Sequence, residues 1–153
     1  MRTLANHIIR EIEKNTDIRE VEHRDFIDSL KTINAAERSV FKSLRVTQDD
    51  TIHYFLFSSV DDIVGACTVS IDSSIDPSQY EEAYICDFEV FKSYRGSGYG
   101  STLYKLLEDT MIRRYKTRHI TLTYRDQKAR KFWLHVGFED DNPGVSKIMS
   151  KSI

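Results

Sequence analysis

The spacing of apolar residues changes repeatedly along this chain, and each change predicts an element. Leu4, Ile8 and Ile12 recur at helical intervals, and Ile18 and Val21 follow as a short strand before a polar break at Glu22 to Asp25. Two more helical stripes come next. Phe26, Leu30 and Ile33 mark the first; Val40, Phe41 and Leu44 mark the second, with Asn34 and Glu37 spaced as an N-cap and its N3 carboxylate. The period then shortens. Ile52 to Phe57 is a compact apolar run, SSVDD reads as a turn, and Ile63, Gly65, Cys67, Val69 and Ile71 alternate with their neighbours, which predicts a β-hairpin. Beyond the polar loop DSSIDPSQYEE, Ala83 to Phe91 forms another strand, glycines intervene, and Leu103, Leu106, Leu107 and Met111 line one face of a helix reaching Tyr115. Ile120, Leu122 and Tyr124 alternate as a strand. Ala129, Phe132, Trp133 and Val136 stripe a short helix that stops at Gly137, a residue suited to the position after a helix, and Val145 to Met149 forms a last strand. The order predicts a mixed α/β sheet in one layer with helices packed on it.

No repeat, low-complexity stretch or linker divides the 153 residues, so residues 1–153 read as a single domain, with 1–16 as an extra N-terminal helix. The formal net charge of −2 leaves no surplus of cations for a sequence-independent grip on nucleic acid. Neither an apolar leader nor a run long enough to cross a bilayer is present, which predicts a cytoplasmic protein without membrane attachment. Cys67 and Cys86 lie inside apolar runs without metal-ligand spacing, so both are expected to be buried small hydrophobes and no metal site is expected.

The stretch FKSYRGSGYGSTLYKLLED concentrates the chemistry. A strand that feeds a helix through Gly96, Gly98 and Gly100 leaves backbone N–H groups bare at the positive end of the helix dipole, where an anion can approach unobstructed by Cβ atoms. A tight turn without ligand would use the same residues. The Gly-Lys-Ser/Thr of a phosphate-binding P-loop is missing, and the glycine spacing departs from the dinucleotide fingerprint.

The segment resembles motif A of the GNAT family of N-acetyltransferases, Arg/Gln-x-x-Gly-x-Gly/Ala, here Arg95 to Gly100. Two further features agree: the strand ending in FEV before the motif, and ARKFWLHVGF, Ala129 to Phe138, which looks like the family's A-x-x-F-Y-x-x-x-G-F signature. The resemblance covers Asp17 to the C-terminus. It implies the acyl-CoA N-acyltransferase fold, an α+β fold in which one layer of mixed, mostly antiparallel twisted sheet carries helices on both faces. It also implies acetyl-CoA as co-substrate and a primary amine of a small molecule or peptide as acceptor, in a protein that is a monomer or homodimer.

Residue by residue, the resemblance gives the pyrophosphate to the backbone N–H groups of Arg95, Gly96, Ser97, Gly98, Tyr99, Gly100 and Ser101. Backbone groups of Phe88 and Val90 would pair with the pantetheine arm as an added strand, where the fourth and fifth strands splay; Ala129, Phe132 and Trp133 would line the thioester. The cluster Arg113, Arg114, Lys116 and Arg118 would meet the 3′-phosphate, although cations are favoured at a helix C-terminus by the dipole alone. Asp87 and Glu89, at alternate positions of one strand, are candidate general bases, with a structural charge as the competing reading.

Two positions depart from the family's pattern. Trp133 stands where a tyrosine commonly protonates the departing thiolate, so Tyr124 or water would take that task; Asp126 stands where an asparagine often contacts pantetheine, keeping the acceptor and losing the amide donor. Acidic residues gather in two loops, Asp72, Asp76, Glu81 and Glu82 in one and Glu139, Asp140 and Asp141 in the other, and would attract a cationic amine or serve only solvation. Two other classes remain open at this level: a catalytically silent acyl-CoA-binding module, and a nucleotide- or phosphate-binding domain.

Overall fold

The computed structural model describes residues 2–72 and 81–153. In chain order the elements are α1 (Arg2–Asn15), β1 (Thr16–Val21), α2 (His23–Lys31), β2 (Ile52–Ser59), β3 (Asp62–Asp72), β4 (Glu81–Val90), α3 (Tyr99–Tyr115), β5 (Thr117–Thr123), α4 (Gln127–His135), β6 (Glu139–Asp140) and β7 (Ile148–Ser152), with single 3₁₀ turns at Ala35–Glu37 and Lys92–Tyr94. Among the described residues the strands form one sheet in the order β1-β2-β3-β4-β5-β7-β6. β4 and β5 run parallel, joined through α3, and the other pairings are antiparallel.

Both faces of the sheet are covered, which explains why β2 is buried without alternation from Tyr54 to Phe57. Phe55 and Phe57 turn to the face that packs Leu103, Leu107 and Met111 of α3 and Trp133 of α4. Tyr54 and Leu56 turn to the other face, against Phe26 and Leu30 of α2 and the isolated Phe41. Each face thus has its own apolar cluster, and burial of both offsets the cost of ordering the chain. α1 is anchored by Ile12, 7% exposed, and by a hydrogen bond from Thr16 Oγ1 to Ile12 O at 2.5 Å; Leu4 and Ile8 of the predicted stripe lie open to solvent.

Three expectations are corrected. The second helical stripe does not form a helix: after one 3₁₀ turn capped by Asn34 Oδ1, residues 38–45 run as irregular chain. Their amides are claimed from outside, since Ser39 N–H and Phe41 N–H donate to the carboxylate of Glu89 on β4. The last strand lies three residues further on than expected at its start, because Val145 N–H and Ser146 N–H are bound by Asn142 O in a turn. Cys67 is buried as expected, but Cys86 is exposed. Of the acidic loop, Asp76 falls outside the described residues.

Candidate active site at the opening between β4 and β5

The site is built on a sheet that comes apart. β4 and β5 pair from Glu81↔Thr117 to Ile85↔Leu122 and no further, although β4 continues to Val90. On its other edge β4 stays paired with β3 through Gly65↔Val90, and Phe91 N–H donates to Val64 O at 2.9 Å. Backbone groups alternate along an antiparallel strand, so Glu89 faces β3 and the amides and carbonyls of Phe88 and Val90 face the opening. The Val90 carbonyl there accepts from Arg95 Nε at 2.8 Å.

A β-bulge sets which side chains flank this edge. Thr68 pairs with Asp87 and Val69 with Ile85, so Cys86 is the extra residue, with no partner on β3. Ala83 and Ile85 before the bulge face the α3 side, and so do Phe88 and Val90 after it. Were Cys86 paired as a regular strand residue, Asp87 would follow Ile85 into that core. Instead Asp87 and Glu89 share the opposite face, as the two-residue spacing predicts.

The two carboxylates live differently. Glu89 is 3% exposed and receives Ser39 N–H and Ser39 Oγ at 2.6 Å each, Phe41 N–H at 3.1 Å and Arg95 Nη2 at 2.8 Å. Four donors, one of them cationic, satisfy a buried charge that would otherwise be costly. Among the described residues Asp87 has one weak partner, Thr68 Oγ1 at 3.4 Å. Desolvation pushes its pKa above the ordinary carboxylate range, with the charge of Glu89 adding to the rise and Arg125 and Thr68 opposing it.

The glycine segment lies beside the opening. Arg95 N–H closes the 3₁₀ turn onto Lys92 O, and Gly98, at φ +89°, forms the N-cap of α3 without any side-chain cap. The first amides of α3 therefore have no partner within the helix. A Cβ at Gly96, φ +82°, would meet nothing within 4 Å, so open space faces this bend; at Gly98 the nearest atom is Ile9 Cγ1 of α1 at 3.9 Å. Tyr99 and Ser101 occupy the first turn, and Tyr99 Oη lies 3.5 Å from Ser59 Oγ. Ser97 is exposed in the turn itself.

The far wall comes from α4. Phe132 stacks on Phe88 at a centroid distance of 5.9 Å and an angle of 23°, and Trp133 meets Phe88, Phe132, Tyr104 and Phe138 edge-on. Trp133 is 7% exposed, a core residue by packing. Ala129 is partly buried against the same cluster, and its N–H donates to Asp126 Oδ1 at 2.8 Å, so Asp126 caps α4. Tyr124 follows β5 directly, its N–H bound to Lys147 O.

Two groups lie elsewhere. Arg113, Arg114, Lys116 and Arg118 sit at the C-terminal end of α3, whose 17 residues set them about 25 Å from the glycine segment, and Arg114 pairs with Glu20 at 3.5 Å. Asp140 is held by Arg130 at 2.6 Å. Sequence reasoning missed Ser39 and Phe41, which act through backbone amides that leave no signature, and Thr68, whose position opposite Asp87 depends on the bulge.

An open strand edge beside a glycine-lined helix start, with space at the bend, fits a ligand with an extended amide-bearing arm and a diphosphate. This is the architecture of an acyl-CoA-dependent acyltransferase. The profile of the Acetyltransferase (GNAT) family matches residues 12–138, and the chain belongs to that family; acetyl-CoA is the co-substrate that membership brings. Solved structures agree in fold. An aminoglycoside acetyltransferase, AAC(6′)-Ib, in complex with coenzyme A superposes with a TM-score of 0.66 at 14% identity, over 90% of this chain and 94% of that one. Spermidine/spermine N-acetyltransferase SpeG from Vibrio cholerae gives 0.64 at 13%, over 92% and 94%. PaiA N-acetyltransferase from Thermoplasma acidophilum, in complex with coenzyme A, gives 0.64 at 14%, over 90% and 99%. No curated protein sequence matches the chain. Among the described residues no helix is long and apolar enough to cross a membrane, and no group of His, Cys, Asp and Glu is placed to hold a metal ion.

Proposed function

We propose that this chain is a cytoplasmic enzyme that moves an acetyl group from acetyl-CoA to a primary amine of a small molecule or peptide. The observation that carries the reading is the end of β4–β5 pairing at Ile85↔Leu122, which frees the Phe88 and Val90 edge beside the start of α3. Backbone groups of Phe88 and Val90 hold the pantetheine arm, the amides from Gly96 to Ser101 hold the diphosphate, and Ala129, Phe132 and Trp133 exclude water from one side. The thioester supplies the activated acyl group.

The acceptor has a proton to lose. An alkyl amine with a pKa near 10.4 is neutral in about one molecule in a thousand at pH 7.4, a deficit of roughly 4 kcal/mol. Asp87 is the base in this reading: among the described residues it has one long hydrogen bond, and desolvation raises its proton affinity. Glu89 is the poorer candidate, because its lone pairs already face four donors. Tyr124 is the candidate donor to the leaving thiolate, since an indole at position 133 cannot act as an acid. The superposed relatives named for aminoglycosides and spermidine support a cationic amine as the class to try first.

Calorimetric titration with acetyl-CoA, and separately with ATP and NAD, tests the reading, with Gly98→Glu as control. Micromolar binding of acetyl-CoA that the substitution removes, followed by turnover in an amine panel, is the expected result. Binding without turnover on any amine would favour a silent acyl-CoA-binding module, a reading to which the buried Trp133 in place of a phenol lends weight.

A further inference from the structure

Segment 33–42 is braced from within and clamped from without. Arg38, 8% exposed, donates from Nε to Ile33 O at 3.3 Å and from Nη1 to Phe41 O at 2.6 Å and Lys42 O at 3.1 Å, so one guanidinium holds the irregular chain in the place of helical hydrogen bonds. Two carboxylates then join this unit to the turn that opens the glycine segment. Glu37 Oε2 accepts Ser93 N–H at 2.7 Å and its Oε1 accepts Ser93 Oγ. Glu89 accepts both donors of Ser39, the amide of Phe41 and Arg95 Nη2, and the same Arg95 nitrogen donates to Ser39 Oγ at 2.7 Å. Arg95 immediately precedes Gly96, and its Nε is tied to Val90 O on the open strand edge.

The braced segment borders the face of β4 on which Asp87 and Glu89 stand, the face an amine must reach. The glycine segment serves the other substrate. We infer that Glu37 and Glu89 are positioning residues that lock the acceptor-side segment to the cofactor turn, so that occupying the glycine segment also fixes the wall against which the acceptor binds. This rests on the acetyl-transfer reading above and adds to it a coupling, in which bound acetyl-CoA strengthens the amine site. By reciprocity, the amine then tightens acetyl-CoA to the same degree.

Hydrogen–deuterium exchange of the full chain, with and without saturating acetyl-CoA, tests this on wild type, Glu37→Ala and Glu89→Gln. Glu37 lies at the rim of the clamp, so its variant folds even if the buried Glu89→Gln does not. In wild type, acetyl-CoA is expected to slow exchange across 38–44 by about fivefold or more, the lower end of ordinary coupling between sites. Glu37→Ala should keep acetyl-CoA affinity within about twofold and lose most of that protection. A merely structural role would loosen 38–44 equally in free and bound protein and leave the ligand-induced difference intact, which overturns the inference. So does acetyl-CoA binding that leaves 38–44 unchanged in wild type, with the acetyltransferase reading unharmed. Failure to bind acetyl-CoA would overturn both.

Discussion

Thr68 and Asp87 face each other across β3 and β4, the threonine hydroxyl donating to Asp87 Oδ2 at 3.4 Å from a position 2% exposed. This donor favours the charged carboxylate and opposes the desolvation that raises the Asp87 pKa. A base works when ionised, so activity is present above that raised pKa and is lost as pH falls through it. Thr68→Val keeps the shape and deletes the donor, and should move the acid limb of the pH–kcat/KM profile to higher pH. Asp87→Asn should lower kcat by about 100-fold or more at all pH values. An unmoved acid limb in Thr68→Val would take the base role away from Asp87.

At Gly98 the backbone holds φ +89°. Any side chain there is strained by about 1–3 kcal/mol, and a carboxylate also repels an anion at the helix start. Gly98→Glu should weaken acetyl-CoA binding by about 100-fold or more, two decades being roughly 2.7 kcal/mol, with Gly98→Ala between it and wild type in calorimetry.

Trp133 touches four aromatic rings and is the one tryptophan of the chain. Trp133→Ala should cost about 3–5 kcal/mol of stability through lost contacts and a cavity, read by urea unfolding followed by circular dichroism. If the cost stays under about 1 kcal/mol, the residue is not part of the core and a role at the thioester gains ground.

Native protein should expose one reactive thiol to a disulfide reagent and unfolded protein two, because Cys86 is open and Cys67 is buried. The Cys86 pKa is raised, chiefly by desolvation, so labelling at neutral pH should be slow and should accelerate as pH rises. Rapid labelling of two thiols in the native state would contradict the placement of Cys67 in the core.

The elements legible in the sequence were those whose own residues carry the signal. The alternation from Ile63 to Ile71 gave β3, the stripe from Leu103 to Met111 gave α3, and Gly137, at φ +101°, ends α4 as its position suggests. Segment 38–45 was misread because Val40, Phe41 and Leu44 keep helical spacing while the amides of Ser39 and Phe41 are taken by a carboxylate nearly fifty positions away. Periodicity cannot see such a competitor. In the candidate site, the glycine turn and the pair Asp87 and Glu89 were legible, but the difference between the pair was not. It arises from burial and from donors supplied by a distant loop and by Arg95. The exposure of Cys86 was equally hidden, since a bulge belongs to the pairing of two strands and not to either alone.

That bulge gives β4 one position at which neither the residue nor the length of the strand is fixed. Cys86 has no partner on β3, so serine or alanine there should be harmless, and removing the residue would join Ile85↔Val69 directly to Asp87↔Thr68 and close the bulge into regular pairing. Phe88 and Val90 would still face the aromatic core and both carboxylates the opposite side. A single codon lost there would therefore spare both faces of the strand, and variation in this chain should concentrate exchanges, and any gap in β4, at position 86.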